Sequence, residues 1–280
     1  MALPVIAPVA PGTAASESPI GVFDSGLGGL TVARAIARRL PTESLIYVGD
    51  TARVPYGPKS PETVRRYAVQ ISEWLVEQGV KLVVVACNTA TAHALTLLHD
   101  LLPVPVIGVI EPGARAAISA SRSGPIGVIG TAGTVQSRAY ERAIQALDPS
   151  RTVYAVACPL LVPLVEEGWI AHEATRLIVR EYLAPLSARA ISSLVLGCTH
   201  YPLLRPLLAE AMGPEVVLID SAEETASEVT RLLAARGLSA AGANPGTLRV
   251  VASDAPQHFR TMAGRFLDRS LEAVEHVVFT

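Results

Sequence analysis

Apolar positions along the chain follow two alternating patterns. Short runs such as Ile20-Gly21-Val22-Phe23, Leu45 to Val48 and Leu82-Val83-Val84-Val85 carry few polar residues and many β-branched ones. A strand buried on both faces of a parallel sheet reads this way. Between these runs, apolar residues recur at steps of three and four. Val32, Ile36 and Leu40 mark one helix, stopped by Pro41. Val64, Tyr67, Ala68, Ile71 and Leu75 mark another, capped by Ser60, opened by Pro61 and ended by Gly79. The alternation continues with strands over Val104 to Val109, Ile126 to Gly130, Val153 to Ala157, Ser193 to Gly197, Val216 to Ile219 and Leu248 to Val251. Helices are predicted over Val135 to Leu147, from Val162, from His172, over Glu223 to Arg236 and over Pro256 to Leu267. Strands alternating with helices imply an α/β fold with mainly parallel sheets.

The pattern also repeats. Ile126-Gly127-Val128-Ile129-Gly130-Thr131 mirrors Ile20-Gly21-Val22-Phe23-Asp24-Ser25 at an offset of 106, and Cys198 follows Cys87 at an offset of 111. Offsets this close indicate an internal duplication. The expected architecture is two similar α/β domains, related by a pseudo-twofold axis and facing each other across a cleft. Glu111-Pro112-Gly113 marks the crossing between them. The expected division is 19–111 with 221–280 as the first domain, the last stretch returning to it, and 112–220 as the second.

A length of 280 residues favours two domains over one large one, and 50% apolar residues suffice for a packed core. With 17% charged residues and a net charge of −2, nothing points to nucleic acid. No apolar run is long enough to span a membrane. Residues 1–18 are rich in Pro and Ala. They have no Lys or Arg, and Pro4, Pro8 and Pro11 interrupt any helix, so they read as a disordered tail rather than a signal peptide. Three cysteines make no disulfide framework, which favours the cytoplasm and free thiols.

Cys87 and Cys198 each end an apolar strand-like run, just before a predicted helix. Ligands bind at that end of the strands in open α/β sheets. A single buried cysteine is usually an inert small hydrophobe, but two at matching positions of a duplicated fold are harder to explain that way. A helix N-terminus favours thiolate and is expected to draw the pKa of each thiol down. A four-ligand zinc site lacks partners, and a nucleophilic hydrolase leaves one thiol unexplained. Cys158, before Pro159, is expected to be structural.

The turn Asp24-Ser25-Gly26-Leu27-Gly28-Gly29 fits the dinucleotide fingerprint only in part, because Thr31 takes the last glycine position, although Asp50 stands at a plausible ribose distance. The alternative is that the turn presents Asp24 and Ser25 to the cleft. Glu166 and Glu167 follow an apolar run, and solvated helix carboxylates are the default for them. His200 adjoins a candidate thiol. Asn88, Thr89, Thr131 and Thr199 are neutral donors at strand ends, suited to holding carboxylates. Proton-active groups on opposite sides of one carbon suggest stereochemical inversion through a carbanion-like state. Neither Lys59 nor Lys81, the only lysines, suits a pyridoxal-phosphate site.

Taken together, Ile20-Gly21-Val22-Phe23-Asp24-Ser25-Gly26, Pro55-Tyr56-Gly57, Ala86-Cys87-Asn88-Thr89-Ala90, Val162-Pro163-Leu164-Val165-Glu166 and Gly197-Cys198-Thr199-His200-Tyr201-Pro202 resemble the glutamate racemases of the cofactor-independent aspartate/glutamate racemase superfamily. The resemblance covers roughly residues 19–235. It implies interconversion of L- and D-glutamate, which supplies peptidoglycan synthesis and hence cell-wall biogenesis and cell shape. It implies no cofactor and no metal, a glutamate substrate and a homodimer. It makes Cys87 and Cys198 the acid/base thiols, with Asp24 assisting Cys87, and Glu166 and His200 assisting Cys198. It assigns Asp24, Ser25, Tyr56, Gly57, Asn88, Thr89, Thr131, Thr199 and His200 to the substrate site. Aspartate racemase and a non-catalytic amino-acid-binding protein are the competing readings, and binding alone needs no paired thiols.

Overall fold

These periodicities become strands and helices close to the expected positions in a computed structural model of the chain, which describes residues 16–121, 124–242 and 244–279. The first stretch runs β1 (Ile20–Asp24), α1 (Leu30–Arg39), β2 (Leu45–Gly49), α2 (Pro61–Glu77), β3 (Leu82–Val85), α3 (Asn88–Leu101) and β4 (Val106–Gly108). Then come α4 (Ile110–Ala120), β5 (Ile126–Gly130), α5 (Ala132–Gln136), α6 (Ala139–Leu147) and β6 (Val153–Ala157). They are followed by α7 (Leu161–Glu166), α8 (Glu173–Ser187), β7 (Ser193–Gly197), α9 (Arg205–Met212) and β8 (Val217–Ile219). The chain ends with α10 (Ser221–Arg236), β9 (Leu248–Ala252), α11 (Pro256–Leu267) and β10 (Glu275–His276).

The strands form two all-parallel sheets, ordered β10-β9-β2-β1-β3-β4 and β6-β5-β7-β8. The order β2-β1-β3-β4 is repeated by β6-β5-β7-β8. Ile20 pairs with Leu45 and Leu82 as Ile126 pairs with Val153 and Ser193, so the duplicated motifs occupy equivalent places. The central strands β1, β3, β5 and β7 are buried along their whole length, which is why they read as unbroken apolar runs. After α10, β9 joins β2 and β10 joins β9, returning the chain to the first sheet. No described helix is long and apolar enough to cross a membrane.

Local chemistry explains where the elements depart from expectation. Glu111-Pro112-Gly113, read as the crossing between the halves, is helical and forms part of the first turn of α4. Pro112 is tolerated there because backbone N–H groups of the first helical turn have no intrahelical acceptor. The helix expected over Val135 to Leu147 is broken in two. Ser137 Oγ donates to Thr134 O at 2.6 Å and accepts from Ala139 N at 3.1 Å, and Arg138 adopts φ 55°. A serine that captures backbone groups in this way competes with the helical ladder. After Cys198 the chain makes a 3-10 turn over Tyr201–Leu204 before α9 begins. β10, two exposed polar residues, carries no strand pattern.

Most of the tail expected to be disordered lies outside the described residues. Its last residues have partners: Ser16 O accepts from Lys81 Nζ at 2.5 Å, and Glu17 Oε1 from Ala241 N at 3.2 Å. Lys81 Nζ also lies 2.5 Å from Glu43 Oε2, both side chains being almost fully buried.

Candidate active site

Both cysteines stand where the pattern put them, at the carboxyl ends of equivalent strands β3 and β7. Cys87 caps α3, its sulfur accepting from Ala90 N at 3.5 Å and lying 3.7 Å from Ser25 Oγ. Cys198 is followed by Thr199 and His200. His200 Nδ1 lies 3.9 Å from Cys198 Sγ, and its Nε2 lies 2.9 Å from Glu166 Oε1 at the end of α7. Asp24 is fully buried. Its Oδ2 accepts from Gly26 N at 2.9 Å, and its Oδ1 from Thr199 Oγ1 at 3.4 Å, linking the two halves.

Glycines make that approach possible. A Cβ on Gly28 would lie 2.2 Å from Thr199 Oγ1 and 2.5 Å from His200 Nδ1. The turn after β1 therefore serves close contact between the halves, not a pyrophosphate. Nor is Asp50 free for a ribose. It is fully buried and accepts from Tyr56 Oη, from Arg53 Nε at 2.7 Å and from Ser253 Oγ at 2.8 Å. A further seam joins Thr89 Oγ1 to Thr131 Oγ1 at 2.8 Å, and Gly133 N donates to Gly57 O at 2.9 Å.

Ser25, Tyr56, Gly57, Cys87, Asn88, Thr89, Thr131, Cys198, Thr199 and His200 line one cavity of about 30 Å³, together with Val54, Pro55 and Val162. That is room for one or two water molecules. Asp24 stands behind Ser25 and Glu166 behind His200, outside the lining. Tyr56 contributes to the wall while its hydroxyl is held by Asp50. Glu167 is exposed. Cys158 is buried away from the cavity, its thiol 3.7 Å from Val156 O.

The electrostatics reverse one expectation. Burial pushes the Cys87 thiol up to about 12, and the Asp24 carboxylate adds to the rise. The hydrogen bonds with Ala90 and Ser25 act the other way and are outweighed. Desolvation therefore overrides the helix N-terminus, and Cys87 rests as a neutral thiol at pH 7. Burial also raises the Asp24 carboxyl above its ordinary value, opposed by the charge of His200. For His200, burial disfavours the imidazolium, but hydrogen bonds and charge interactions with Cys198 and Glu166 prevail and carry it up to about 10.

Four contributors carry no local sequence signal. Tyr140 on α6 donates to Asn88 Oδ1 at 2.7 Å, and Thr134 joins the Thr89–Thr131 seam. On α11, the Phe266 ring meets the His200 ring edge-on at 5.4 Å, and Arg265 Nη1 donates to Glu166 O at 2.8 Å. Tyr140, Phe266 and Arg265 act across long sequence separations, and Thr134 reaches Thr89 from 45 residues away, where neither periodicity nor motif reaches.

A family model described as Asp/Glu/Hydantoin racemase matches residues 20–229. The glutamate racemase of Syntrophus aciditrophicus is 52% identical, over 92% of this chain and 96% of its own length. That of Neisseria meningitidis serogroup A is 51% identical over 93% and 97%. Among solved structures, a glutamate racemase isoform from Bacillus anthracis superposes with a TM-score of 0.90 at 44% identity, covering 94% of this chain and 98% of that one. The Francisella tularensis glutamate racemase in complex with D-glutamate gives 0.89 at 36% identity, with the same coverage. The chain belongs to the Asp/Glu/Hydantoin racemase family and is an amino-acid racemase, an isomerase.

Proposed function

We propose that the chain interconverts L- and D-glutamate by a two-base mechanism, with Cys87 and Cys198 serving opposite faces of Cα. The observation that carries this reading is the convergence of two thiols, from equivalent strands of two sheets, on one cavity. One thiolate removes the α-proton, and the other thiol delivers its own proton to the opposite face. The negative charge that develops between the two steps needs donors in a site closed to water. Ser25, Asn88, Thr89, Thr131 and Thr199 are suited to hold the substrate carboxylates, and Asp24, behind Ser25, to assist Cys87. On the Cys198 side, His200 and Glu166 form a relay that moves charge toward and away from the sulfur. The neutral Cys87 thiol is the ready proton donor when reaction starts at Cys198.

The strands' division between two sheets supports taking 19–111 with 221–280 as one domain and 112–220 as the other. Kinship with glutamate racemases supports the rest of the reading. The enzyme works as a cytoplasmic homodimer, uses no cofactor and supplies D-glutamate to peptidoglycan.

Incubation of L-glutamate in deuterated water tests the mechanism. Early D-glutamate carries deuterium at Cα while recovered L-glutamate carries almost none, and the mirror result holds from D-glutamate. Cys87→Ser and Cys198→Ser each nearly abolish racemisation. Protium retained in early product, or one serine variant with near-normal turnover, defeats the two-base assignment. Conversion of aspartate in preference to glutamate defeats the substrate assignment.

A further inference from the structure

Resting on that reading, we propose that Tyr140 is a positioning residue that fixes the Asn88 carboxamide so that its NH2 group donates to a substrate carboxylate. Asn88 opens α3 directly after Cys87, lines the cavity and is 3% exposed. Its Oδ1 accepts from Tyr140 Oη at 2.7 Å, while its Nδ2 is buried with no hydrogen-bond partner among the described residues. A buried amide donor without an acceptor is destabilising, and polar groups left so in a folded chain call for an explanation. A carboxylate in the cavity supplies the missing acceptor.

The tyrosine is itself held from several sides. Its ring occupies a slot that two glycines leave open. A Cβ on Gly113 would lie 3.3 Å from Cε1 and Oη, and a Cβ on Gly197 would lie 3.0 Å from Cε2. Ser221, the first residue of α10, lies close enough to its hydroxyl to act on it electrostatically. The phenolic proton goes to Asn88 Oδ1, which sets the edge of the carboxamide that faces Tyr140. Nδ2 is left for the cavity. Phenylalanine would fill the slot equally well, so the partners account for the hydroxyl. Tyr140 packs with the second sheet and Asn88 follows the first, so the donor is aligned only while the two halves are together.

The test is the steady-state kinetics of Tyr140→Phe, Asn88→Ala and the double variant, after racemisation by the unsubstituted chain is established. A failure of the functional reading appears in that first assay, and a failure of this inference appears only in the variants. Tyr140→Phe raises KM for both enantiomers by about tenfold, the worth of one hydrogen bond to a charged group, and leaves kcat unchanged, as loss of uniform binding does. The double variant is no weaker than Asn88→Ala alone, because the two residues act as one unit. An unchanged KM, or losses that add, overturns the proposal. If Tyr140→Phe does not fold, the side-chain amide resonance of Asn88 in the unsubstituted protein decides. It shifts on saturation with D-glutamate if the NH2 group is the donor, and an unmoved resonance overturns the proposal.

Discussion

His200 holds a positive charge inside the protein because Cys198 and Glu166 hold it there. Its pKa is raised from 6.5 to about 10, so the folded state binds the proton more tightly than the unfolded chain does. The resulting stability is fully present below pH 6.5 and is lost as pH rises through about 10. Glu166→Gln removes one of the two partners. The stability difference between this variant and the parent, read from urea unfolding, is therefore expected to be largest near pH 6 and to vanish above about pH 10. A difference that grows with pH sinks the assignment. Asp24 illustrates the opposite balance. Burial raises its carboxyl above 3.8, so its ionisation opposes folding and its contribution falls as pH rises past that value. Asp24→Asn relieves this and is expected to raise Tm while lowering kcat. A lower Tm would show that the charge of His200 outweighs burial. The site residues were legible because they are contiguous with strand ends: Asp24 and Ser25, Cys87 to Thr89, Cys198 to His200. The direction of the Cys87 shift was not legible. A helix start can be read from sequence, whereas the desolvation that opposes it exists only once both halves have packed over the thiol.

Among the elements, the turn between β1 and α1 sets how closely the halves meet. Gly28→Ala places a methyl group 2.2 Å from Thr199 Oγ1, so Thr199 and His200 must move together. The expected result is a loss in kcat of about a hundredfold, of the size a 1 Å misplacement produces. Retained turnover would mean that the halves accommodate the methyl without moving the relay. α11 has a comparable influence from further away. Its Phe266 is fully buried against His200, and Phe266→Ala is expected to lose about 3–5 kcal/mol of stability, measured by denaturant unfolding, with a fall in kcat. The helix itself was visible in the spacing of its apolar residues. Its role was not, because Arg265 and Phe266 meet residues 99 and 66 positions away along the chain. The division of Val135 to Leu147 was also hidden. Ser137 is compatible with a helix interior by propensity, and only its captured backbone bonds reveal the break.

At the scale of the molecule, the cavity has room for one or two water molecules, too little for the heavy atoms of glutamate, so the halves must part for it to enter and leave. Thr89 and Thr131 lie face to face across the seam, with their hydroxyls 2.8 Å apart. Cysteines at both positions, once oxidised, are expected to lock the halves and abolish binding of D-glutamate in titration calorimetry, with only partial recovery on reduction, because the thiols then replace two hydroxyl donors of the site. Unimpaired binding by the cross-linked protein would require a different route into the site. The two-sheet plan was readable in advance because the offsets of 106 and 111 are properties of the chain alone. The degree of closure was not, since it depends on polar contacts between the halves.

The repeated strand order also speaks to ancestry. A homodimer of half-length chains, each bringing one cysteine to a shared twofold axis, would already hold two thiols on opposite sides of a ligand. Joining two such genes in tandem keeps that site and frees each copy to diverge. In the present chain, β9, β10 and α11 extend one half only, and α11 touches the flank of Cys198 through His200 and Glu166. The appended tail thus gives the two thiols, at equivalent places in two repeated sheets, chemically unequal surroundings.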